Sequence, residues 1–303
     1  MALGVDGVRV GTWTSPGRVS GCTVILPPAG SLAALAVRGA APGTREAIAL
    51  GPNGKLTVCH GVVLSGSSAY GLATADGVVR WLEEQGIGYA VGPGIVPIVG
   101  AAIILDLGVM VPEERPTADS GWQAAEAATT DDPPEGQVGA GTGAHVAKVG
   151  GLEHGRPGGQ GIAVRTNRDV IVGALVVNNA VGEVIGDDGT TLVGTSAPQG
   201  APRFPLDPEA LLAASTAQWG PTQNTVIGAI VTNVRLTKSE AHRVADLGHS
   251  GIVRAVRPAH TNYDGDALFC LSTGQVDADL DMVTHLAVEA VAEAARRGPL
   301  AAA

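Results

Sequence analysis

Large aromatic side chains are scarce: two Phe, three Tyr and four Trp make up only 3% of the 303 residues. A core built on aromatic anchors is therefore excluded, and 44 glycines point instead to close packing of small side chains. Charge is sparse too, at 16% of residues, and the mean hydropathy of +0.22 excludes a disordered chain. Basic residues are outnumbered, 19 Lys and Arg against 29 Asp and Glu, for a net charge of -10. They are scattered singly, whereas a nucleic-acid binder shows a basic patch or stripe, so no nucleic-acid partner is expected. The three cysteines, Cys22, Cys59 and Cys270, are odd in number and widely spaced. Neither a disulfide framework nor a zinc motif is indicated, and the seven histidines form no metal pattern. No stretch reaches the roughly 18 apolar residues of a membrane span. Residues 1–12 lack the basic start and apolar run of a signal peptide. These absences describe a reduced, cytoplasmic enzyme with no membrane partner and no metal.

What is present is a mixture of short β-branched runs and glycine turns. Residues 8–12, 22–26, 33–37 and 60–64 read as strands. Leu72, Ala75, Val79 and Leu82 recur at helical spacing within 69–85, which Gly86 ends. The almost continuously apolar run 96–107 predicts a strand buried on both faces. A short helix over 119–128 and a Pro/Gly/Asp loop over 131–143 follow. Residues 161–165 and 169–177 predict a hairpin turning at 166–168. Residues 186–223, rich in Gly, Pro, Ser and Thr, read as an exposed linker with a helix candidate at 209–214. A clear strand, 225–233, comes directly after it. Thr237 opens a helix with a Thr-x-x-Glu capping box to Glu240. A strand at 267–272 precedes the best amphipathic helix, 279–297, acidic at its start and ending in Arg296 and Arg297. Strands cluster without a regular βαβ repeat, so the pattern predicts a layered α+β domain, with stacked sheets covered by helices.

Four places have the residue types for chemistry. At Gln223-Asn224-Thr225-Val226 the linker runs into a buried strand that starts on a hydroxyl side chain. A Thr with a free α-amine is nucleophile and base in one residue, provided the chain is cut directly before it; otherwise Thr225 merely starts a strand. At Tyr263-Asp264-Gly265-Asp266 two acids two residues apart point the same way, and can orient an amine and a hydroxyl or share a proton. The plain alternative is a solvated turn. The run 136–148 has Gly139, Gly141 and Gly143 but neither a Walker Gly-Lys-Ser/Thr nor a surrounding βαβ unit. It reads as a tight turn that brings Lys148 into an active centre or leaves it on the surface. At the end of an apolar strand, Asn178 and Asn179 can offer an amide to an oxyanion, and strand alternation lets at most one of them do so. No G-x-S-x-G elbow is present, and Ser65-Gly-Ser-Ser68 is a loose decoy for one.

Together and in order, these segments resemble the DmpA-like self-processing peptidases, which include β-peptidyl aminopeptidases and nylon-oligomer hydrolases. The resemblance is carried by Ser20-Gly-Cys-Thr-Val24, Arg38-Gly-Ala-Ala-Pro-Gly-Thr-Arg-Glu46 and Leu64-Ser-Gly-Ser-Ser-Ala-Tyr-Gly-Leu72. Val96-Pro-Ile-Val99, Asp106-Leu-Gly108 and Glu135-Gly-Gln-Val-Gly-Ala-Gly-Thr-Gly-Ala144 continue it. Asn224-Thr-Val-Ile-Gly228, Thr232-Asn233, Leu236-Thr-Lys238 and Asp264-Gly-Asp-Ala-Leu-Phe-Cys-Leu-Ser-Thr-Gly274 complete it. It implies one four-layer αββα domain of the N-terminal-nucleophile type over 1–303, cut after Asn224 into an α chain, 1–224, and a β chain, 225–303.

The resemblance also implies roles: Thr225 as nucleophile, Asp264 and Asp266 as the acids that position it and its amine, Lys148 beside it, and Asn178 or Asn179 at the oxyanion. Trp122 stands where an aromatic near the site is sought. No cofactor and no metal is implied. The assembly implied is a homotetramer of αβ heterodimers. The Asn-Thr junction favours an amide hydrolase acting on 6-aminohexanoate (nylon) oligomers. The alternative is an aminopeptidase releasing N-terminal, including β-, amino acids, and an uncleaved binding protein of the same fold is the non-enzymatic reading.

Overall fold

The computed structural model describes residues 1–199 and 224–303. Two five-stranded sheets form its centre. The strands are β1 (Arg9–Thr14), β2 (Gly21–Leu26), β3 (Leu32–Val37), β4 (Thr44–Arg45), β5 (Gly61–Ser65), β6 (Val99–Ile103), β7 (Gly159–Asn167), β8 (Val170–Asn179), β9 (Thr225–Val234) and β10 (Ala267–Val276). One sheet has the order β1-β2-β5-β6-β4 and the other β7-β8-β9-β10-β3. Among the described residues four α-helices cover them: α1 (Thr74–Glu84), α2 (Ala118–Glu126), α3 (Lys238–Ala255) and α4 (Leu280–Ala302).

Three apolar layers hold the stack together. Ile25, Val62 and Leu64 of the first sheet meet Leu35, Leu175, Val177, Ile227 and Phe269 of the second. Val24 and Val63, on the outer face of the first sheet, pack on Val78, Trp81 and Leu82 of α1 and Ala124 and Ala125 of α2. Val172, Val176, Ile230 and Leu268 of the second pack on α3 and α4 through Val244, Ile252, Val283 and Val291. The layer order is helix, sheet, sheet, helix, as the αββα expectation has it. Small residues set the spacing. A Cβ added at Gly77 of α1 would lie 1.6 Å from the Ala118 carbonyl oxygen of α2, so this crossing admits only glycine.

Several boundaries differ from the sequence reading, each for a local reason. The expected strand 96–107 is shortened to β6, because Pro97 interrupts it at one end. At the other end Asp106 caps a 3-10 turn, Leu107–Met110, by accepting from Gly108 N. The expected helix 69–85 begins as a 3-10 segment, Ser68–Ala73, and is α-helical only from Thr74. The β7–β8 hairpin turns at Arg168 and Asp169, with Arg168 at φ +55°, one step later than expected. Helix α4 starts at its Asp279 cap but runs on to Ala302, so Arg296 and Arg297 do not end it. Arg296 instead binds Asp187, and Arg297 binds Glu135. Part of the expected linker is a small strand, Thr191–Val193, paired with Glu183–Ile185. The rest of it, with the helix candidate at 209–214, lies outside the described residues.

Candidate active site

The site forms where β9 begins, at the centre of the second sheet. Strand β9 is buried along its whole length, between antiparallel β8 and parallel β10. Its β-branched, small-residue sequence suits a strand buried on both faces. Thr225 is its first residue and is 4% exposed. The Thr225 hydroxyl donates to the carbonyl oxygen of Asn224, and so lies against the peptide group that joins the two residues.

Strand register settles which asparagine shares this space. Asn179 of β8 pairs with Thr225, and Asn178 pairs with Val226. Side chains alternate, so Asn179 and Thr225 share the inter-sheet face with Leu175, Val177 and Ile227. Asn178 is turned to the helix side, where its Nδ2 donates to the carbonyl oxygen of Ala295 at 2.8 Å. Asn179 is held from three sides. Its Nδ2 donates to Leu105 O at 3.0 Å, and its Oδ1 accepts from His145 N at 2.9 Å and from Lys148 Nζ at 3.2 Å.

The glycine loop delivers Lys148. After the 3-10 turn Gly139–Gly141, Ala147 takes φ +57°, and its N–H and that of Lys148 bond to Gly182 O and Val181 O, just beyond β8. Lys148 is 3% exposed, with Nζ 2.9 Å from Asn179 O. Burial pulls the pKa of this amine down to about 7, outweighing the opposing pull of Asp264 and Asp106. Asp106 is buried as well, and burial pushes it up to about 6 although Ser67 N–H, Ser20 Oγ and Gly108 N–H bond to it.

The two acids come from the loop that enters β10. Asn224 bridges Asp264 in parallel, so the loop runs beside the Asn224–Thr225 peptide. A Cβ on Gly265 would lie 3.2 Å from Thr225 Oγ1, which places the backbone between the two aspartates against the hydroxyl. Asp264 Oδ2 accepts from Thr261 N at 2.5 Å, while its Oδ1 has no hydrogen-bond partner among the described residues. Burial first, and the Asp266 charge second, push Asp264 up to about 6. Asp266 Oδ1 accepts from Val226 N at 2.6 Å. The segment after β3 clamps this loop from outside: Arg38 N and Gly39 N donate to Asp266 O, and Ala41 N donates to Asp264 O. Arg38-Gly-Ala-Ala41 thus acts on the site through backbone alone.

Asn224, Thr225, Asn179, Lys148, Asp264 and Asp266 therefore converge, and Asn178 does not join them. Trp122 is not near them either: it lies on α2 and donates to Glu84 on the outer helix layer. His260, which no motif in the sequence singles out, reaches the site through Asp266: its Nδ1 lies 2.7 Å from Asp266 Oδ2. Among the described residues no cluster suits a metal ion, and no helix is long and apolar enough to cross a membrane.

A family model described as peptidase family S58 matches residues 3–303. The chain belongs to peptidase family S58. Members of that family hydrolyse peptide or amide bonds, and this chain is such a hydrolase. It is 41% identical over 287 residues to an uncharacterized aminopeptidase of Mycobacterium tuberculosis, covering 90% of this chain and 81% of that one. It is 33% identical over 273 residues to a 6-aminohexanoate-oligomer endohydrolase of Paenarthrobacter ureafaciens, covering 89% and 74%. A Burkholderia sp. beta-aminopeptidase superposes with a TM-score of 0.74 at 23% identity, over 99% of this chain and 86% of that one. The L-aminopeptidase D-Ala-esterase/amidase from Ochrobactrum anthropi, described as a variant of the Ntn hydrolase fold, gives 0.73 at 21%, over 99% and 85%. The αββα stack is thus the N-terminal-nucleophile hydrolase fold of the DmpA type.

Proposed function

We propose that this chain cuts itself between Asn224 and Thr225 and then works as an amide hydrolase with Thr225 as nucleophile. One observation carries the reading: a threonine heads a buried central strand with its hydroxyl on the preceding carbonyl group. In the precursor, Oγ1 attacks the Asn224 carbonyl carbon, the acyl group moves from nitrogen to oxygen, and water hydrolyses the ester. The products are the chains 1–224 and 225–303, which stay together because β9 is an inner strand. In turnover the freed α-amine takes the hydroxyl proton and the hydroxyl attacks a substrate amide. Water then releases the acyl group. Asn179 is assigned the oxyanion side and Lys148 fixes its carbonyl end. Asp264 is assigned to the freed amine, and Asp266 holds the Val226 amide.

The favoured substrate is a peptide or aminoacyl amide whose N-terminal residue is released. Support comes from the aminopeptidase name on the 41% identical relative and on both structural neighbours. Asn224 before Thr225 and the endohydrolase relative support the second reading, linear 6-aminohexanoate oligomers. Two bands on a denaturing gel are expected, with Thr225 as the N-terminal residue of the smaller. The purified protein should release free amino acids from aminoacyl p-nitroanilides and short peptides faster than it shortens 6-aminohexanoate oligomers. Shortening of the oligomers alone would reverse the preference, and a persistent full-length band without turnover would leave the binding-protein reading.

The two asparagines give a sharper check. Asn178→Ala removes the donor to Ala295 O and the acceptor of Ala180 N–H. Each buried group left unsatisfied costs about 1–3 kcal/mol, so a lower melting temperature with near-normal turnover is expected. Asn179→Ala should cut kcat by about 100-fold, the scale of a lost oxyanion donor. The opposite pattern would move the oxyanion site to Asn178.

A further inference from the structure

Asp266 is not held by β9 alone. One of its oxygens takes the Val226 N–H, and the other takes two donors from a single residue, His260: the backbone N at 3.1 Å and the ring Nδ1 at 2.7 Å. This double contact needs a special backbone. His260 sits at φ +57°, the left-handed region, which folds its own N–H and its ring toward the same oxygen. A carboxylate oxygen only accepts, so Nδ1 carries the proton of this bond. The ring is fixed from behind as well. It packs edge-on against His249 of α3, with centroids 4.9 Å apart and planes at 65°. His249 is itself anchored by Nε2 at 3.2 Å from Ala36 O of β3, a contact that requires Nε2–H. Burial keeps His249 neutral, with a pKa pulled down to about 4. A continuous chain of contacts therefore runs from β3 through His249, His260 and Asp266 to the amide that follows Thr225.

We propose that His260 is a positioning residue of this site, which locks the Asp266 carboxylate in the pose that aligns the head of β9, and thereby Thr225, for attack. The inference rests on the Thr225 reading above. Without the ring contact Asp266 keeps the backbone donors of Val226 and residue 260 but loses the shorter Nδ1 bond to its second oxygen, and the like charge of Asp264 beside it then pulls against its pose.

The test uses two amide replacements in the full chain. In His260→Asn the side-chain nitrogen falls where Nδ1 stands, and asparagine tolerates the left-handed backbone. In His260→Gln the nitrogen falls near Nε2 and misses Asp266, although the side chain is larger and equally polar. Self-cleavage of the Asn variant, followed on gels, is expected within about threefold of wild type. The Gln variant should be slower by about 10- to 100-fold, the scale of a lost hydrogen bond to a buried charge. In matured protein the Gln variant should lose kcat with KM within about twofold, since the lost contact aligns the nucleophile rather than holding substrate. Equal rates for the two variants, or a faster Gln variant, would overturn the proposal. A Thr225→Ala control separates the two failures. If that control still splits after Asn224, the nucleophile assignment is wrong; if it does not split while His260→Gln behaves as wild type, only the His260 inference is wrong.

Discussion

Thr225→Ala is expected to leave one uncut chain of 303 residues and no detectable turnover. The change deletes the oxygen that lies on the Asn224 carbonyl group, and nothing nearby among the described residues replaces it. The amine of Lys148 is committed to Asn179, and Ser20 and Ser67 are committed to Asp106 and to each other. Loss of a nucleophile in a hydrolase lowers kcat by on the order of 10⁴-fold or more, so both the cut and the activity should fall below detection. The fold should survive. Removing one hydroxyl and one methyl group from a buried strand end costs about 1 kcal/mol, and the strand keeps its backbone ladder to β8 and β10. A melting temperature within a few degrees of wild type would therefore accompany the loss of function. Thr225→Ser keeps the oxygen and should still cut and turn over. Cleavage of the Thr225→Ala variant at the same bond, shown by N-terminal sequencing of a fragment that starts at the substituted position, would sink the self-processing mechanism. An inactive Thr225→Ser variant that folds normally would point away from the hydroxyl as the reacting group.

Much of the frame was legible because its signals are local. The helix caps at Thr237 and Asp279 need only the next few residues. The strand at 225–233 announces itself by β-branched composition, and the Asp264-x-Asp266 pair by spacing alone. What failed to show was three-dimensional. Asn178 and Asn179 could not be separated because β8 is apolar on both faces, so alternation says that they diverge but not which way. Only the register to Thr225 decides it. The overlong bounds expected for the strand at 96–107 have a related cause. An apolar run gives no period, and its true end is set by the Asp106 side chain turning back on Gly108. His260 was invisible as a partner because a left-handed histidine six residues before its carboxylate fits neither helical nor strand spacing.

Asp266→Asn should slow self-cleavage by about 100-fold, the combined cost of one lost charge and one mispaired buried N–H. The reason is donor counting. Asp266 receives Val226 N–H on one oxygen and His260 N–H and Nδ1–H on the other. An amide offers one oxygen and one NH₂ group. Placed one way, its nitrogen meets Val226 N–H; placed the other way, it meets His260 N–H. The imidazole can change tautomer to accept, but neither backbone N–H can, so one buried donor is always left facing another. The substitution also tests the electrostatics. Asp264 is pushed up to about 6 by burial and then by the Asp266 charge. With that charge gone, the second cause disappears and the Asp264 carboxyl should ionise at lower pH. Self-cleavage of wild type and Asp266→Asn precursors, measured from about pH 4 to pH 8 to bracket that titration, should thus show the acid limb of the variant displaced to lower pH as well as a lower plateau. A normal rate and an unmoved limb would remove Asp266 from the machinery, whereas a lower plateau with an unmoved limb would keep its contact to β9 but assign the limb to a group other than Asp264.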